Sequence, residues 1–356
     1  MVLVLVAGSA AFLRFAVPVG ALGGPGGSGA LAPSASPNPS SPIGAPAAAD
    51  RAQFAGTLLF ARQGRIWSAS GGSFAELTDG DRDSWPVWSP DGQRFWFIRT
   101  ATKIAVAPYQ GQFGKITLYY PTLMSTSPYG GAAQPVFDSL IDLQGPANAK
   151  YFVQVVQPAI SPDGRQFALV SDASDPLSGD VTLSLLPAVG GRIRELGVRD
   201  VRGLGHNDPA WSPDGKQIAF TTNDGHGGEG TPRIGIYTLA SKAMTVIGGT
   251  GFANPAWSPD GRTLVVERTN GKSRDLVAID ATTGATVRRL TDDGRSFAPT
   301  FSPDGTQIAF LHLDHGAVDI HVLSLAADGT FVVTANKPLT ADGLVDPQSE
   351  LSWAAP

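Results

Sequence analysis

The side chains best suited to chemistry in this chain gather in short polar stretches. His206, Asn207 and Asp208 are consecutive, and Asn223, Asp224 and His226 form a second group. Asp172, Asp175 and Asp180 lie in a third stretch, and His312, Asp314 and His315 in a fourth. Four of the five histidines fall in these stretches. Asp and Asn oxygens would suit Ca2+ or another hard divalent cation. A grouping of His206, His226 and His315 would suit a transition metal instead. The same residue types also build turns, because Asp and Asn bond the local backbone. The sequence leaves both readings open, and with them the identity of any metal. A separate aromatic set, Tyr109, Phe113, Tyr119 and Tyr120, would mark a partner-binding edge if exposed; otherwise it covers its own part of the fold.

Composition limits what these residues can do. The chain has 356 residues and no cysteine, which excludes disulfides, Fe–S clusters, thiol nucleophiles and a lipid-bearing N-terminal cysteine. The formal net charge of −5 argues against nucleic acid as a partner, because phosphate binding needs a Lys/Arg surplus. No G-x-S-x-G nucleophile elbow, Walker A motif, H-E-x-x-H pair or Rossmann fingerprint occurs in the sequence.

The elements that must position these residues come from an internal repeat. The phrase appears as PVWSPDGQRFWF from Pro86, PAISPDGRQFAL from Pro158 and PAWSPDGKQIAF from Pro209. It returns as PAWSPDGRTLVV from Pro255 and PTFSPDGTQIAF from Pro299. Its serines, Ser89, Ser161, Ser212, Ser258 and Ser302, are 72, 51, 46 and 44 residues apart. Ser-Pro-Asp-Gly is a tight turn: Pro sets φ, Asp bonds the backbone and Gly accepts φ > 0. Large apolar residues alternate after it, as in Phe95 and Phe97 or Ile308 and Phe310. That period of two is a strand packed on a neighbouring sheet. Between them stand Ala168, Ala219 and Ala309, where the other face must be tight. Trp88, Ile160, Trp211, Trp257 and Phe301 precede the serines and read as core between blades.

Repeats of this length and strand content imply the four-stranded blades of a propeller. First strands at 86–88, 158–160, 209–211, 255–257, 299–301 and 351–353 count six blades. The chain ends in SELSWAAP, a first strand without its second. The domain starts with GTLLFARQGRIWSAS, later strands without a first. The expected fold is therefore an all-β, six-bladed β-propeller whose C-terminal strand completes the blade begun by the N-terminal strands. The first interval has surplus residues, placed at Thr100–Tyr120 as a protruding hairpin, or alternatively around residues 139–157. The Ser-Pro-Asp-Gly turns should share one face, with the longer polar loops on the other.

Ahead of the ring, Val2–Leu13 is an apolar run of twelve residues, and thirteen of the thirty residues from Gly20 to Ala49 are Gly or Pro. The first suits a signal peptide or membrane anchor, and the second cannot offset its ordering entropy. The expected layout is 1–22 as signal peptide or anchor, 23–51 as a disordered linker and 52–356 as the propeller.

The recurring P-x-W-S-P-D-G-x-x-I-A-F phrase, with Leu-Thr at Leu77-Thr78, Leu290-Thr291 and Leu339-Thr340, resembles the WD40-like (PD40) repeat of TolB-type propellers. The resemblance covers roughly Phe54 to Pro356. It implies a periplasmic or otherwise exported ring that binds proteins; similar propellers also accompany prolyl-oligopeptidase-type peptidases and form oligogalacturonate lyases. The function expected is a non-catalytic scaffold, exported or envelope-tethered, that binds an envelope or extracellular protein through its loop face. It would touch membrane only through the N-terminal segment. A metal-dependent lyase or hydrolase at the channel mouth and a structural surface or filament subunit are the alternatives.

Overall fold

The computed structural model describes residues 16–18, 46, 47, 49–109, 112–143, 148–173, 176, 181–198, 205–223 and 231–356. Among them every regular element is a strand. Six four-stranded antiparallel blades surround a channel, each running from an innermost strand a to an outermost strand d. Blade 1 combines Ser352–Ala354 as its a strand with Thr57–Arg62, Arg65–Ser70 and Ser73–Glu76. Blade 2 is Asp83–Trp88, Phe95–Tyr109, Gln112–Ser127 and Gly130–Asp138. Blade 3 is Val156–Ile160, Gln166–Ser171, Thr182–Pro187 and Arg194–Glu195. Blade 4 is Asn207–Trp211, Gln217–Asn223, Pro232–Thr238 and Ala243–Ile247. Blade 5 is Phe252–Trp257, Thr263–Asn270, Ser273–Asp280 and Thr286–Arg289. Blade 6 is Ser296–Phe301, Gln307–Asp314, Ala317–Leu325 and Val333–Pro338. The expected closure is present: Thr57, Leu58 and Leu59 pair with Ala354, Trp353 and Ser352.

The repeated turn works through a closed circuit of hydrogen bonds. In all five copies the Ser hydroxyl donates to the Asp carboxylate at 2.5–2.7 Å. The same carboxylate accepts the N–H two residues on at 3.0–3.1 Å. The glycine N–H donates to the Ser carbonyl, and the glycine takes φ near +70°, a value that a Cβ resists. Consecutive turns also touch. A Cβ on Gly164, Gly215, Gly261 or Gly305 would lie 3.2–3.7 Å from the proline of the preceding blade's turn. The turns therefore form a contiguous rim on one face.

Alternation along strand b divides its side chains between two neighbours. Phe95 and Phe97 pack toward blade 1 with Leu59, Ala61 and Ile66, while Trp96 and Ile98 pack toward blade 3 with Phe167 and Leu169. The same division recurs around the ring and gives six interblade cores, the last joining blade 6 to blade 1 through Leu311, Ile320, Phe60 and Trp67. Ala168, Ala219 and Ala309 are fully buried on the tight side of their strands. The tryptophans read from sequence as core do more than fill space. Trp211 Nε1 donates to Ala159 O (3.0 Å) and Trp257 Nε1 to Ala210 O (3.1 Å), each reaching the preceding blade's a strand. Trp353 Nε1 donates to Ala55 O (2.9 Å) and meets Phe54 edge-on at 5.2 Å. In blade 4 the Phe220 ring lies over Gly235, where a Cβ would approach it to 2.6 Å.

Both candidate positions for the surplus are occupied. Strands b and c of blade 2 continue into a hairpin whose register runs unbroken from Phe95↔Thr126 to Tyr109↔Gln112. Leu140–Asp142 and Lys150–Phe152 form a second, smaller hairpin between blades 2 and 3. The two are braced by a Val106–Ala149 bridge and a small core of Ala107, Ile116, Leu118 and Phe152. The N-terminal run and most of the linker lie outside the described residues. Ala16–Pro18 pairs antiparallel with Ile116–Leu118 at the edge of the long hairpin. The ring also holds the chain just before blade 1: Arg51 Nη1 donates to Gly72 O (2.7 Å) and Ala52 N to Pro338 O (2.9 Å).

Two outcomes test this closure and packing. Trp353→Ala should lower unfolding free energy by about 2–3 kcal/mol in a denaturant titration, below the full cost of a buried tryptophan because the ring is partly exposed. Gly235→Ala should cost about 1–3 kcal/mol by overpacking against Phe220, whereas Gly316→Ala, where a Cβ would meet nothing within 4 Å, should show only the cost of its positive φ.

Candidate functional site

Strand a of each complete blade carries an irregularity at the residue before the repeat's proline. The pairing shifts between Ser84 and Val87, Val156 and Ala159, Asn207 and Ala210, Ala253 and Ala256, and Phe297 and Thr300. At these bulges Trp85, Gln157, Asp208, Asn254 and Ala298 have φ of +47° to +53°. Such values are uncommon for residues other than glycine, and a bulge re-aims the side chain it carries. Glu350 holds the matching position in blade 1, before Leu351 and Ser352. One residue per blade therefore stands at one level of the channel wall, and the six side chains differ.

Trp85 and Ala298 turn into interblade cores. The next three form a hydrogen-bonded chain across blades 3, 4 and 5. Gln157 Nε2 donates to Asp208 Oδ1 (2.6 Å), and Asp208 N donates back to Gln157 Oε1 (3.1 Å). Thr221 Oγ1 donates to Asp208 Oδ2 (2.8 Å) and accepts from Asn254 N (2.8 Å). Burial pushes the Asp208 carboxyl up, and the bonds from Thr221 and Gln157 oppose that. Nearby, Glu267 pairs with Arg274 at 3.3 Å. Burial still raises Glu267 to about 7, Arg274 partly offsetting this and the Asp208 charge adding to it. Glu350 is pushed well up, first by burial and then by the Asp208 charge. Its Oε1 is buried without a hydrogen-bond partner among the described residues.

The residues singled out from sequence meet different fates. Asp208 belongs to this channel chain. His206 is 4% exposed, accepts the Leu183 N–H at Nδ1 (2.9 Å) and packs on Phe220 at 4.8 Å, so it holds a loop in place. Asn207 and Asn223 are buried at the same end of blade 4, and their Oδ1 atoms lack hydrogen-bond partners among the described residues. Asp172 is buried and accepts the Gln154 N–H. Asp314 and His315 sit at the exposed b–c turn of blade 6, where Asp314 pairs with Arg295. His312 contacts Asp293 (2.8 Å) and stacks on His321 at 4.4 Å. Asp175, Asp180, Asp224 and His226 lie outside the described residues. The placed candidates are thus divided between blades 3, 4 and 6. Among the described residues no group of three or more His, Asp or Glu is positioned to hold a metal ion.

Within the aromatic set, Phe113 is exposed on the long hairpin. Tyr120 packs on the hairpin's small core. Tyr119 lies under the Arg82 guanidinium at 4.8 Å. Tyr109 pairs with Gln112 at the hairpin end, and its side chain is outside the described residues. Sequence reasoning missed Gln157, Thr221, Asn254, Glu267, Arg274 and Glu350. A signal for three of them was available: the position just before the proline, or before its equivalent in the last strand.

Comparison with known proteins places the ring among relatives. A family model described as the TolB beta propeller domain (PD40) matches residues 206–345. A TolB homolog of Chlorobium chlorochromatii is 33% identical over 104 residues, which are 29% of this chain and 22% of that protein, so the match spans about a fifth of the relative. The crystal structure of TolB from Acinetobacter baumannii superposes with a TM-score of 0.61 at 18% identity, over 86% of this chain and 68% of that one. A chain of a nidogen–laminin complex superposes at 0.56 and 11% identity, over 84% and 98% of the two chains. Among the described residues no helix is long and apolar enough to cross a membrane.

The channel carboxylates predict a pH dependence of stability. A folded-state value raised from 4.5 to about 7 means that Glu267 contributes fully below its unfolded value and loses that contribution as pH rises through 7. Between pH 5 and 8 the unfolding free energy should fall, by up to about 3 kcal/mol for this group, and Glu267→Gln should flatten the slope. The turn aspartates act oppositely. Asp91, Asp163, Asp214, Asp260 and Asp304 are held below the ordinary carboxylate value, chiefly by the Ser hydroxyl. Their contribution is present above that value and is lost as pH falls through the depressed one, which thermal melts at low pH would register.

Proposed function

Taking the ring as a TolB-like propeller built of PD40 repeats, we propose that it is a non-catalytic binding scaffold, exported to the periplasm or cell envelope, that engages a protein partner at the channel mouth on its loop face. The N-terminal apolar run would direct export or anchor the chain, and the Gly/Pro-rich segment would act as a tether. The observation that carries this reading is the channel register. Gln157, Asp208 and Asn254 tie three blades into a rigid wall, and Glu350 on the same level keeps a carboxylate oxygen without a hydrogen-bond partner among the described residues. A rigid wall of polar side chains that differ from blade to blade is suited to a single, asymmetric partner. The TolB resemblance supports a protein as that partner.

Crosslinking and pull-down from a native envelope fraction tests the assignment. The ring should capture a defined envelope protein, and Glu350→Ala should weaken capture about tenfold or more, as truncating one member of a buried polar contact does. Val189→Ser, on an exposed c–d turn of the Ser-Pro-Asp-Gly face, should leave it unchanged. Capture lowered equally by both variants, or no captured protein at all, would count against the loop face as the binding surface.

A further inference from the structure

The long hairpin of blade 2 is an element that the ring does not require for closure. Its inner face is spent on the core with the smaller hairpin. Its outer face, read from the register Ile104↔Thr117, Val106↔Lys115 and Pro108↔Phe113, places Ile104, Val106, Pro108 and Phe113 together. Ile104 is 57% exposed and Phe113 47%. Isolated apolar side chains on a surface are ordinary, but an apolar stripe on a projecting element marks an interaction site.

Charge identifies the kind of partner. The chain as a whole is acidic, yet Gly92–Phe137 contains no Asp or Glu. The basic residues of the hairpin divide by position. At its root, Arg99 is held in a two-pronged bond by Asp83, Nε to Oδ1 at 2.7 Å and Nη2 to Oδ2 at 2.8 Å. Further out, Lys103 and Lys115 are exposed and make no ion pair among the described residues. These lysines bracket an uncharged tip, residues 104–114, that carries Ile104 and Phe113. In the same register Lys115 shares the face of Ile104, Val106 and Phe113, and Lys103, paired with Leu118, stands on the other face beside Ile104. Apolar groups flanked by ammonium groups are arranged as at a membrane interface, where the apolar part enters the headgroup boundary and the ammonium groups reach lipid phosphates. A second observation points the same way. Ala16–Pro18, which follow the apolar run Val2–Leu13 in the sequence, pair with Ile116–Leu118 at the edge of this hairpin.

We infer that the blade 2 hairpin is a docking element for an anionic lipid bilayer, with Ile104 and Phe113 entering the interface and Lys103 and Lys115 paired with lipid phosphates. The ring then meets the membrane through a folded element as well as through its N-terminal segment. This does not depend on which protein occupies the channel mouth.

Because the chain has no cysteine, a single introduced thiol reports one position without background. Full-length protein with Ile104→Cys carrying an environment-sensitive dye is mixed with phosphatidylcholine vesicles with or without phosphatidylglycerol. The dye should shift to the blue and be quenched by brominated acyl chains only when the anionic lipid is present. The same dye at Val189→Cys should not respond. Lys103→Gln with Lys115→Gln should weaken the response about 25-fold, at roughly fivefold per lysine, while thermal melting confirms an intact ring. Vesicle binding with the Ile104 dye unmoved would assign attachment to the N-terminal segment alone and overturn the inference. A shift produced by lipid-free envelope protein and not by vesicles would give the hairpin a protein partner instead and would equally overturn it.

Discussion

The ring depends on one short pairing, that of Ser352–Ala354 with Thr57–Leu59. A blade is a sheet with two apolar faces, and neither can be buried within the blade itself. Each strand b sends alternate residues to opposite neighbours, so every blade needs a partner on both sides. Six blades meet that need only if the sixth faces the first. The last strand supplies the innermost position of blade 1, and Trp353 fastens it to the segment leading into that blade. The core between blades 6 and 1 is then built like the other five, and no blade is left with an open apolar face.

Closure has a local consequence at the channel. Each complete a strand carries a left-handed residue just before its proline. Such backbone persists only where the surroundings over-determine it, and here the flanking interblade cores do so. The irregularity is repeated, but its use is not. Trp85 and Ala298 reinforce packing, Gln157, Asp208 and Asn254 bind blades to one another, and Glu350 keeps a buried side-chain oxygen without a hydrogen-bond partner among the described residues. A repeated backbone device thus becomes an asymmetric channel through side-chain choice alone. The burial that holds these carboxylates in place also raises Asp208, Glu267 and Glu350 above ordinary values, so the channel wall and the turn rim respond to pH in opposite directions.

Much of this was legible in the sequence because turn chemistry is local. Ser-Pro-Asp-Gly requires a positive φ at its glycine and an acceptor at its aspartate, and all five copies show both. The alternation of large residue, Ala and large residue after it in three copies states which side of strand b is crowded, and Ala168, Ala219 and Ala309 lie there. The candidate site was less legible, for reasons that particular residues make plain. His206 resembled a loop ligand because its neighbours are polar, yet its ring is buried on Phe220 with Nδ1 turned to a backbone N–H. Asp314 and His315 share a composition with Asp208 but sit in another blade. Glu267 and Arg274 carry no motif and are brought to the channel by strand pairing in blade 5.

The sequence by itself determined the blade, the number of blades, the closing strand and the cross-blade role of the apolar residues, because each follows from spacing and turn stereochemistry within a few residues. Only the tertiary structure decided which polar side chains share a level of the channel, which carboxylates are buried together and which face of the blade 2 hairpin is left uncovered. Those depend on residues far apart in the chain, Gln157 with Asp208 or Glu350 with Asp208, and on what is already packed against each face. Local pattern carries no record of either.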